Sequence, residues 1–399
     1  MAKQIIIKSY NSSGTYIGNI NDATFDNFSK MINGGLSELI LKLARTIDTF
    51  NATGDVTIGN KIEIWIIDED TGNTAIKIYS GFVEQHNPII DGDEHYVEIV
   101  CYSMVSKIKN DILKESAQTK LYTKATVGLT ITALDLAAAE IADVVMAIID
   151  KYNAVNTAFN LFYNLNGIDT VQDTGNDMQS IFEAMTYFEA IEKCRAAAPQ
   201  NWHWILNANN EIEFKPISAS ADHTFVLSKD IKSIRASKTA DGVKNILLLW
   251  SSNGGGAGTD VYKQYTDDAS ISLYGRRVEK QIDHSIYDEI TMDNIGNSFI
   301  NENKDPKIRI ELEIADNNES DKGYNIESIE PGDTCKIVGL DVDGIVFGTN
   351  MIIKEVIYQL TSVRLIIETE KEFDMQKFVL DLSDNLLETK SEGIPPSYT

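Results

Sequence analysis

The chain has 399 residues, of which 35 are lysine or arginine and 60 are aspartate or glutamate, giving a formal net charge of -25. Such an acidic surface repels phosphate backbones and anionic lipid, so we expect neither specific nucleic-acid binding nor membrane insertion. The length exceeds that of one hydrophobic core and predicts two to four compact units.

The cysteines and the N-terminal sequence restrict the cellular setting. Cys101, Cys194 and Cys335 lie far apart in apolar surroundings, which favours buried thiols over a disulfide. The first residues contain too short an apolar run for a signal peptide, and no stretch reaches the ~18 apolar residues of a membrane span. We therefore expect synthesis in the cytoplasm, without a signal peptide and without membrane insertion.

Residues 1–105 are predicted to form a first β-barrel domain. Two hairpin turns are expected at residues 70–73 and 91–93, where Asp, Gly and Asn cluster. Six segments rich in β-branched and aromatic residues predict strands, at residues 4–7, 15–19, 39–43, 61–67, 75–84 and 95–102.

Residues 106–216 are predicted to form an α+β domain. Residues 129–151 contain no glycine or proline and favour a long helix, and residues 152–171 are expected to be extended or irregular. Thr186 and Glu189 have the spacing of a capping box, which predicts a helix start at Thr186. Pro199 ends that helix, and the alternating residues 202–206 and 212–215 predict a hairpin with Ile191, Trp204 and Phe214 directed inward.

Residues 217–375 are predicted to form a second β-rich domain with one inserted helix at about 286–303. Residues 376–399 are read as an acidic C-terminal extension without a core-forming pattern. We expect the tail from Phe373 onward and the glycine-rich residues 254–258 to be ordered only by neighbouring molecules. Strands are predicted at residues 225–227, 233–237, 245–250, 307–314, 334–338, 351–359 and 362–368.

No motif in the sequence predicts a catalytic, cofactor-binding or metal site. The glycines at 254–258 are followed by Thr259 and Asp260 instead of the Lys-Ser/Thr of a phosphate loop. Residues 341–344 read DVDG, but apolar residues occupy later ligand positions of a calcium loop, so a hairpin turn is preferred. The five histidines have no metal-site spacing, and we expect the protein not to be an enzyme.

Two pairs of residues leave alternatives open. Arg276 and Arg277 suit either contacts with a neighbouring subunit or a solvated surface. Trp202 and Trp204 fall on one face of a strand, which favours burial, although aromatic stripes also bind sugars.

The helix and hairpin of residues 186–216 resemble those of phage tail hub proteins, the baseplate hub family. Farther along the chain, SLYGRR at 272–277, a helix around 286–303 and IESIEPGD at 326–333 follow one another in the order characteristic of this family. YSGFV at 79–83 resembles a strand of the family's first domain. The resemblance implies a β-rich α+β fold in which two tail-tube-like β-barrel units are separated and flanked by α+β units.

The same resemblance implies a structural role in a virion. Three copies would form a ring that caps the tail tube and surrounds a channel for the tape-measure protein and, transiently, DNA. Expected partners are the tail tube protein, the distal tail protein, the tape-measure protein and tail fibre or spike proteins. The alternatives are a carbohydrate-binding adhesin or receptor-binding tail protein and, with less support, a cell-wall hydrolase.

Overall fold

The structure is a computed structural model, and it describes most of the chain. The described residues are 4–67, 74–91, 94–113, 121–122, 139–157, 159–165, 168–182, 185–227, 229–251, 260–284, 286, 288–316, 324–338, 351–359 and 362–369.

The first part of the chain folds mainly into strands. Its elements are β1 (Gln4–Tyr10), β2 (Tyr16–Asn19), β3 (Ala23–Phe25), β4 (Phe28–Met31), β5 (Gly34–Gly35), β6 (Leu39–Leu43), α1 (Ile47–Thr53), β7 (Lys61–Ile67), β8 (Ile76–Asp91), β9 (Glu94–Ser103) and α2 (Met104–Asn110). A seven-stranded sheet has the order β2-β1-β7-β8-β9-β6-β3, and all its neighbouring strands are antiparallel. Asp91 pairs with Glu94, as the predicted hairpin requires.

The middle part is mixed. It contains β10 (Leu121–Tyr122), β11 (Ala139–Glu140), α3 (Ile141–Val155), β12 (Asn164–Leu165), β13 (Ile168–Asp169), β14 (Asp177–Met178), β15 (Ile181–Phe182), α4 (Tyr187–Ala197), β16 (Trp202–Leu206) and β17 (Ile212–Pro216). Helices α3 and α4 and the β16–β17 hairpin share one core, in which Ile148, Tyr152, Ile191, Trp204 and Phe214 are buried.

The long-helix prediction is wrong about where α3 lies. The helix was expected at 129–151 but begins at Ile141, because Glu140 pairs with Asp177 as a strand residue and its carboxylate accepts from the backbone N–H of Ala142 and Asp143. Residues 129–138 lie outside the described part of the chain. The helix also continues to Val155, into the stretch expected to be extended or irregular.

The last part contains a second large sheet and an inserted unit. Its elements are β18 (His223–Val226), β19 (Ile231–Thr239), β20 (Ile246–Ser251), β21 (Val261–Thr266), α5 (Asp268–Tyr274), β22 (Val278–Ile282), α6 (Glu289–Asn303), β23 (Lys307–Ala315), a 3₁₀ turn (Ile326–Ser328), β24 (Thr334–Val338), β25 (Met351–Tyr358) and β26 (Ser362–Thr369). The second sheet has the order β18-β24-β25-β26-β23-β19, with β4 added beside β25.

The insertion is larger than the single helix predicted. Strand β20 was expected with the second domain's strands, but it forms a separate three-stranded sheet, in the order β21-β20-β22, that packs on α6. Helix α5 was missed, although Asp267 caps it by accepting from the Ser270 N–H at 2.8 Å. The predicted helix at 286–303 begins at Glu289, after its cap Asp288.

The two large sheets share a strand order. When β1, β3, β6, β7, β8 and β9 are numbered by sequence, their spatial order is 1-4-5-6-3-2. The six strands β18, β19, β23, β24, β25 and β26 give the same order. The sheets differ at one pair of neighbours, because β1 runs antiparallel to β7 whereas β18 runs parallel to β24. The chain is thus a β-rich α+β protein that uses one half-barrel sheet arrangement twice.

Candidate functional site at the junction of the two sheets

Residues 28–36, here called the strap, lie in sequence between strands β3 and β6 of the first sheet. They pair instead with two other parts of the molecule. Strand β4 pairs antiparallel with β25 of the second sheet, where Phe28 lies opposite Tyr358. Strand β5 pairs parallel with β16 of the hairpin, where Gly35 lies opposite Leu206. Nine residues therefore join three units through backbone hydrogen bonds.

Asn33 makes the turn between β4 and β5. Its φ of 54° lies in the left-handed region, which asparagine tolerates better than most residues. Its N–H donates to the Trp204 carbonyl at 2.8 Å, and its side-chain oxygen accepts from the Trp204 N–H at 3.2 Å. Ile32 donates to the Lys354 carbonyl at 2.9 Å. The turn is thereby fixed to the hairpin on one side and to the second sheet on the other.

Gly35 allows the strap to approach the hairpin closely. A Cβ at this position would collide with the Leu206 carbonyl oxygen and lie 2.8 Å from a methyl group of Val105. At the neighbouring Gly34, the nearest atom to such a Cβ would be 3.6 Å away. The close packing therefore requires glycine at position 35 and not at position 34.

Phe28 places an aromatic ring between the two sheets. Its ring, 1 % exposed, lies 5.2 Å from Tyr79 of the first sheet and 5.1 Å from Tyr358 of the second. The hydroxyl of Tyr79 donates to the Cys101 carbonyl at 3.0 Å, and that of Tyr358 donates to the Ile329 carbonyl at 2.8 Å. Burial raises the pKa of both phenols. The apolar residues of the two sheets consequently form one continuous core.

An ion pair lies beside this aromatic contact. Lys30, 5 % exposed, donates to both carboxylate oxygens of Glu330 at 2.6 and 2.9 Å. Its ammonium nitrogen also lies 5.2 Å from the centroid of the Tyr358 ring. Because an unpaired buried ammonium is costly, this pair holds β4 in register on the second sheet.

The helix and hairpin that receive the strap have the predicted local structure. The Thr186 N–H donates to the Glu189 carboxylate at 2.7 Å, and the Glu189 N–H donates to the Thr186 hydroxyl at 3.1 Å. Ile191, Trp204 and Phe214 are fully buried. The predictions of a capped helix at Thr186 and of these inward side chains are confirmed.

The two tryptophans of the hairpin are part of its packing. Trp204 is fully buried, and its indole N–H donates to Glu192. Trp202 is half-buried and lies 5.4 Å from the ring of Phe214. The pair therefore does not present the open aromatic platform that sugar binding would need.

Helix α4 is attached to the inserted unit by charged contacts. Arg195 bridges Glu192 at 3.1 Å and Glu302 of α6 at 2.9 Å. Lys193 contacts Asp283 at 3.2 Å, and its burial lowers its pKa.

A cavity of about 160 Å³ lies where the hairpin, α6 and the second sheet meet. His203 lines it, is 1 % exposed, and has no hydrogen-bond partner on either ring nitrogen. Its ring lies against Gly332, whose φ of 88° and lack of a side chain leave space for the imidazole. Burial lowers the pKa of His203 to about 4, so the ring is neutral at pH 7.

A second histidine lies beside a cysteine but is fully engaged. The Nδ1 of His223 is 3.0 Å from the Tyr324 hydroxyl, and its Nε2 is 2.9 Å from Asp333. Cys335 is its register partner on β24, but both imidazole nitrogens already have partners, so neither is left to deprotonate the thiol.

The three thiols are all buried, as the sequence predicts, and burial raises the pKa of each. Raised pKa values disfavour the reactive thiolate. Among the residues that the structure describes, no group of three His, Cys, Asp or Glu side chains could hold a metal ion. In the same part of the chain no helix is both long and apolar enough to cross a membrane.

The remaining residues singled out from sequence have separate outcomes. Arg277 is half-buried and donates to the carbonyls of Ala240 and Tyr274 within its own chain, so it is not a fully solvated cation, and its contact with a neighbouring subunit stays a prediction. Arg276 is exposed. Residues 254–258, 341–344 and 376–399 lie outside the described part of the chain.

The strap is not predicted by the sequence pattern. Only Gly34 and Gly35, following Asn33, signalled a turn there, and β5 is too short for a periodic pattern. The pairing of β4 with a strand more than 300 residues away leaves no local signature.

Comparison with known proteins gives a match in structure but not in sequence. No family model matches the chain, and no curated protein matches it by sequence. The tail protein from Neisseria meningitidis MC58 is similar in structure, with a TM-score of 0.58 and 9% identity over 92% of this chain and 97% of that one.

Two further solved structures are similar over nearly their whole length. The 43 kDa tail protein of prophage MuSo2 from Shewanella oneidensis has a TM-score of 0.56 and 10% identity, covering 92% of this chain and 98% of that one. Prophage tail protein gp18 from Listeria monocytogenes EGD-e has a TM-score of 0.51 and 11% identity, covering 96% and 99%. This chain therefore has the fold of phage tail proteins.

Proposed function

We propose that the chain is a structural hub protein of a phage-type tail, in which three copies form a ring that caps the distal end of the tail tube. The observation that carries this proposal is the repeated strand order 1-4-5-6-3-2 in two sheets of one chain. The fold similarity to phage tail proteins supports the same role.

The repeat gives the ring its symmetry. Each chain offers two related sheets, so a closed threefold ring presents six similar units around one axis. Six units match a hexameric tube even though the ring has only three chains. The two sheets of one chain must then keep a fixed orientation relative to each other. The strap holds them through Phe28 and the Lys30–Glu330 pair, and Gly35 attaches the strap to the hairpin.

The net charge of -25 is compatible with a channel. Carboxylates on a channel wall repel the phosphates of DNA that passes through it, which prevents adhesion. The partners in this proposal are the tail tube protein, the distal tail protein, the tape-measure protein and tail fibre or spike proteins. The protein would reside in the virion at the tail tip and would catalyse no reaction.

The mass of the purified protein in solution tests the proposal. A chain of 44.4 kDa predicts a trimer of three times that mass, about 133 kDa, and averaged images should show a ring with six lobes. A protein that stays monomeric at high concentration, both alone and with tail tube protein, would contradict the hub.

The alternative of a carbohydrate-binding adhesin rested on Trp202 and Trp204. Trp204 is buried and Trp202 packs on Phe214, so this pair no longer supports sugar binding. Binding of bacterial surface glycans by a monomer would be the result that restores it.

A further inference from the structure

The two large sheets align residue by residue, because a β-bulge interrupts the corresponding strand pair in each. Between β8 and β9 the register shifts after Val83, and between β25 and β26 it shifts after Ile353. A bulge is a fixed structural marker, since it adds one residue at one place in a strand. Counted from the bulges, residues 85–88 of β8 are equivalent to residues 355–358 of β25.

A loop bonded to each bulge supports this alignment. The N–H of Gly59 donates to the Val83 carbonyl at 2.8 Å, and the N–H of Gly332 donates to the Ile353 carbonyl at 2.8 Å. The two glycines have nearly equal φ angles, 86° and 88°. Each loop is therefore the same structural element in its own sheet.

The second sheet has a strand where the first has a free edge. Strand β4 pairs with residues 355–358 of β25, on the side away from β26. At the equivalent residues 85–88, β8 pairs only with β9 within the part of the chain that the structure describes, because the pairing with β7 ends at Phe82. Two large apolar side chains near this edge, Ile58 and Ile90, are 64% and 73% exposed.

The loop beside the free edge is also uncovered. The equivalents of Ile58 and Gly59 in the second sheet are Pro331 and Gly332, and both of these are buried. A Cβ at Gly332 would collide with the ring of His203, whereas a Cβ at Gly59 would have no atom within 4 Å. A surface that other parts of the chain cover in the second sheet is thus open in the first.

The counterpart of β4 in the second sheet is the end of β19. Lys30 of β4 forms a bridge with Leu36, and Thr239 of β19 pairs with Lys307. The register of β6 on β9 and of β23 on β26 makes Leu36 equivalent to Lys307. Lys30 and Thr239 are therefore equivalent. Among the described strands β19 is the last of its sheet, so its outer side is a second free edge.

We propose that the free edge of β8 pairs with the end of β19 from a neighbouring copy, in the register that joins β25 to β4 within one chain. Within the chain, Glu355 lies opposite Met31 and the two strands are antiparallel. Between chains, Gln85 lies opposite Ala240 in the same way. Pro88 has no N–H and offers only its carbonyl to this ladder.

The sequences of the two edges have opposite charge. Strand β19 contains Lys232, Arg235 and Lys238 and no carboxylate, whereas the tip of the β8–β9 hairpin reads DGDE at 91–94. Extending the proposed register brings Arg235 to Ile90, at the start of this acidic tip. Complementary charge of this kind favours one partner and one register.

This inference rests on the proposed hub function, because it concerns the contacts that close the ring. A ring of three copies with two sheets each has three junctions within chains and three between chains. The pairing of β4 with β25 makes the first kind, and the pairing of β19 with β8 makes the second. All six junctions are then alike, as a match to a sixfold tube requires.

Cysteine pairs in the full chain test the junction. Opposite residues of antiparallel strands have Cα atoms about 4.5–5.5 Å apart, which a disulfide can bridge. Oxidation of Gln85→Cys/Ala240→Cys should therefore give covalent dimers and trimers. The control Gln85→Cys/Ser237→Cys, displaced by three residues or about 10 Å, should give at most about a tenth as much. The pair Glu355→Cys/Met31→Cys should close within one chain, and the buried native thiols should not take part.

The mass in solution separates this junction from the hub function. A trimer in which Glu355→Cys/Met31→Cys closes but Gln85→Cys/Ala240→Cys does not link chains would overturn the junction and leave the ring. A disulfide of the second pair within one chain would overturn the junction as well. A protein that stays monomeric at high concentration would overturn both proposals.

Charge reversal gives an independent readout. Gln85→Glu/Ala240→Glu places like charges directly opposite each other, so it should raise the midpoint concentration of trimer formation at least about threefold relative to Gln85→Glu/Ala240→Lys. Both variants carry the same change on β8, and a purely local effect of that change would be equal in the two. Equal assembly of the two variants would show that β8 and β19 do not pair.

Discussion

The ring of Phe28 stacks on the ring of Tyr358, with centroids 5.1 Å apart and an interplanar angle of 17°. The first residue precedes most of the first sheet in the sequence, and the second lies in β25 of the second sheet. Because Phe28 also contacts Tyr79, one side chain connects the two halves of the repeated arrangement. The strap therefore links the two large sheets through one shared aromatic contact.

Replacing Phe28 by Ala should lower the free energy of unfolding by about 3–5 kcal/mol, because it leaves a cavity between two aromatic rings. The measurement is denaturant unfolding followed by far-UV circular dichroism. Phe162→Ala is a matched control, because the Phe162 side chain is 41% exposed and should contribute less than about 1 kcal/mol. Similar losses for the two variants would mean that the strap does not unite the sheets.

Gly35→Ala should destabilise the protein by about 1–3 kcal/mol, because the new Cβ meets the Leu206 carbonyl and the backbone must move apart. Gly34→Ala should change stability by less than about 1 kcal/mol, since its Cβ would have ordinary contacts. Thermal unfolding of the two variants side by side provides the comparison. An equal shift in melting temperature would argue against close strap-to-hairpin packing as the cause.

Removal of the cap on α4 by Thr186→Ala should cost about 0.5–2 kcal/mol, because the Glu189 N–H loses its acceptor. Thr186→Ser keeps a hydroxyl at the same position and should retain most of the stability. Urea denaturation can resolve this difference. If the serine variant is as unstable as the alanine variant, the hydroxyl is not the stabilising group.

Protonation of His203 should destabilise the protein as pH falls. Its pKa in the folded protein is about 4, below the ordinary value of 6.5, so the unfolded chain binds the proton first. Stability is therefore lost between pH 6.5 and 4, and the total loss from this residue is about 3 kcal/mol.

The test compares the unfolding free energy at pH 7 and pH 4 in two variants. Between pH 7 and pH 4, the free energy of unfolding of His203→Gln should fall by about 3 kcal/mol less than that of the unmodified protein. For His95→Gln, at an exposed position, it should fall as far as in the unmodified protein. A His203→Gln variant with an unchanged pH dependence would show that this ring is not the titrating group.

Much of the local structure follows from the sequence. The Thr186–Glu189 spacing predicts the helix start, because a capping box satisfies two backbone donors with side chains only three residues apart. Alternation predicts Trp204 and Phe214 as buried, since every second residue of a strand faces the same side. The strands β7 and β20 also have nearly the predicted limits.

Tertiary contacts decided the rest. The start of α3 depends on the pairing of Glu140 with Asp177, which no helix propensity contains. The separate sheet of β20 depends on the packing of Leu247 and Leu249 against α6, since an apolar strand has the same pattern in either sheet.

The sequence by itself determined most strands of the two large sheets, the capped helix, the acidic composition and the likeness to phage tail proteins, because these depend on residue type and short spacing. The strap, the shared core around Phe28 and the neutral, unpartnered His203 were decided only by the tertiary structure. Their partners lie far away in the sequence, and pairings of β4 with β25 or of His203 with Gly332 arise only when the chain is folded. Local periodicity carries no information about which distant strand is chosen.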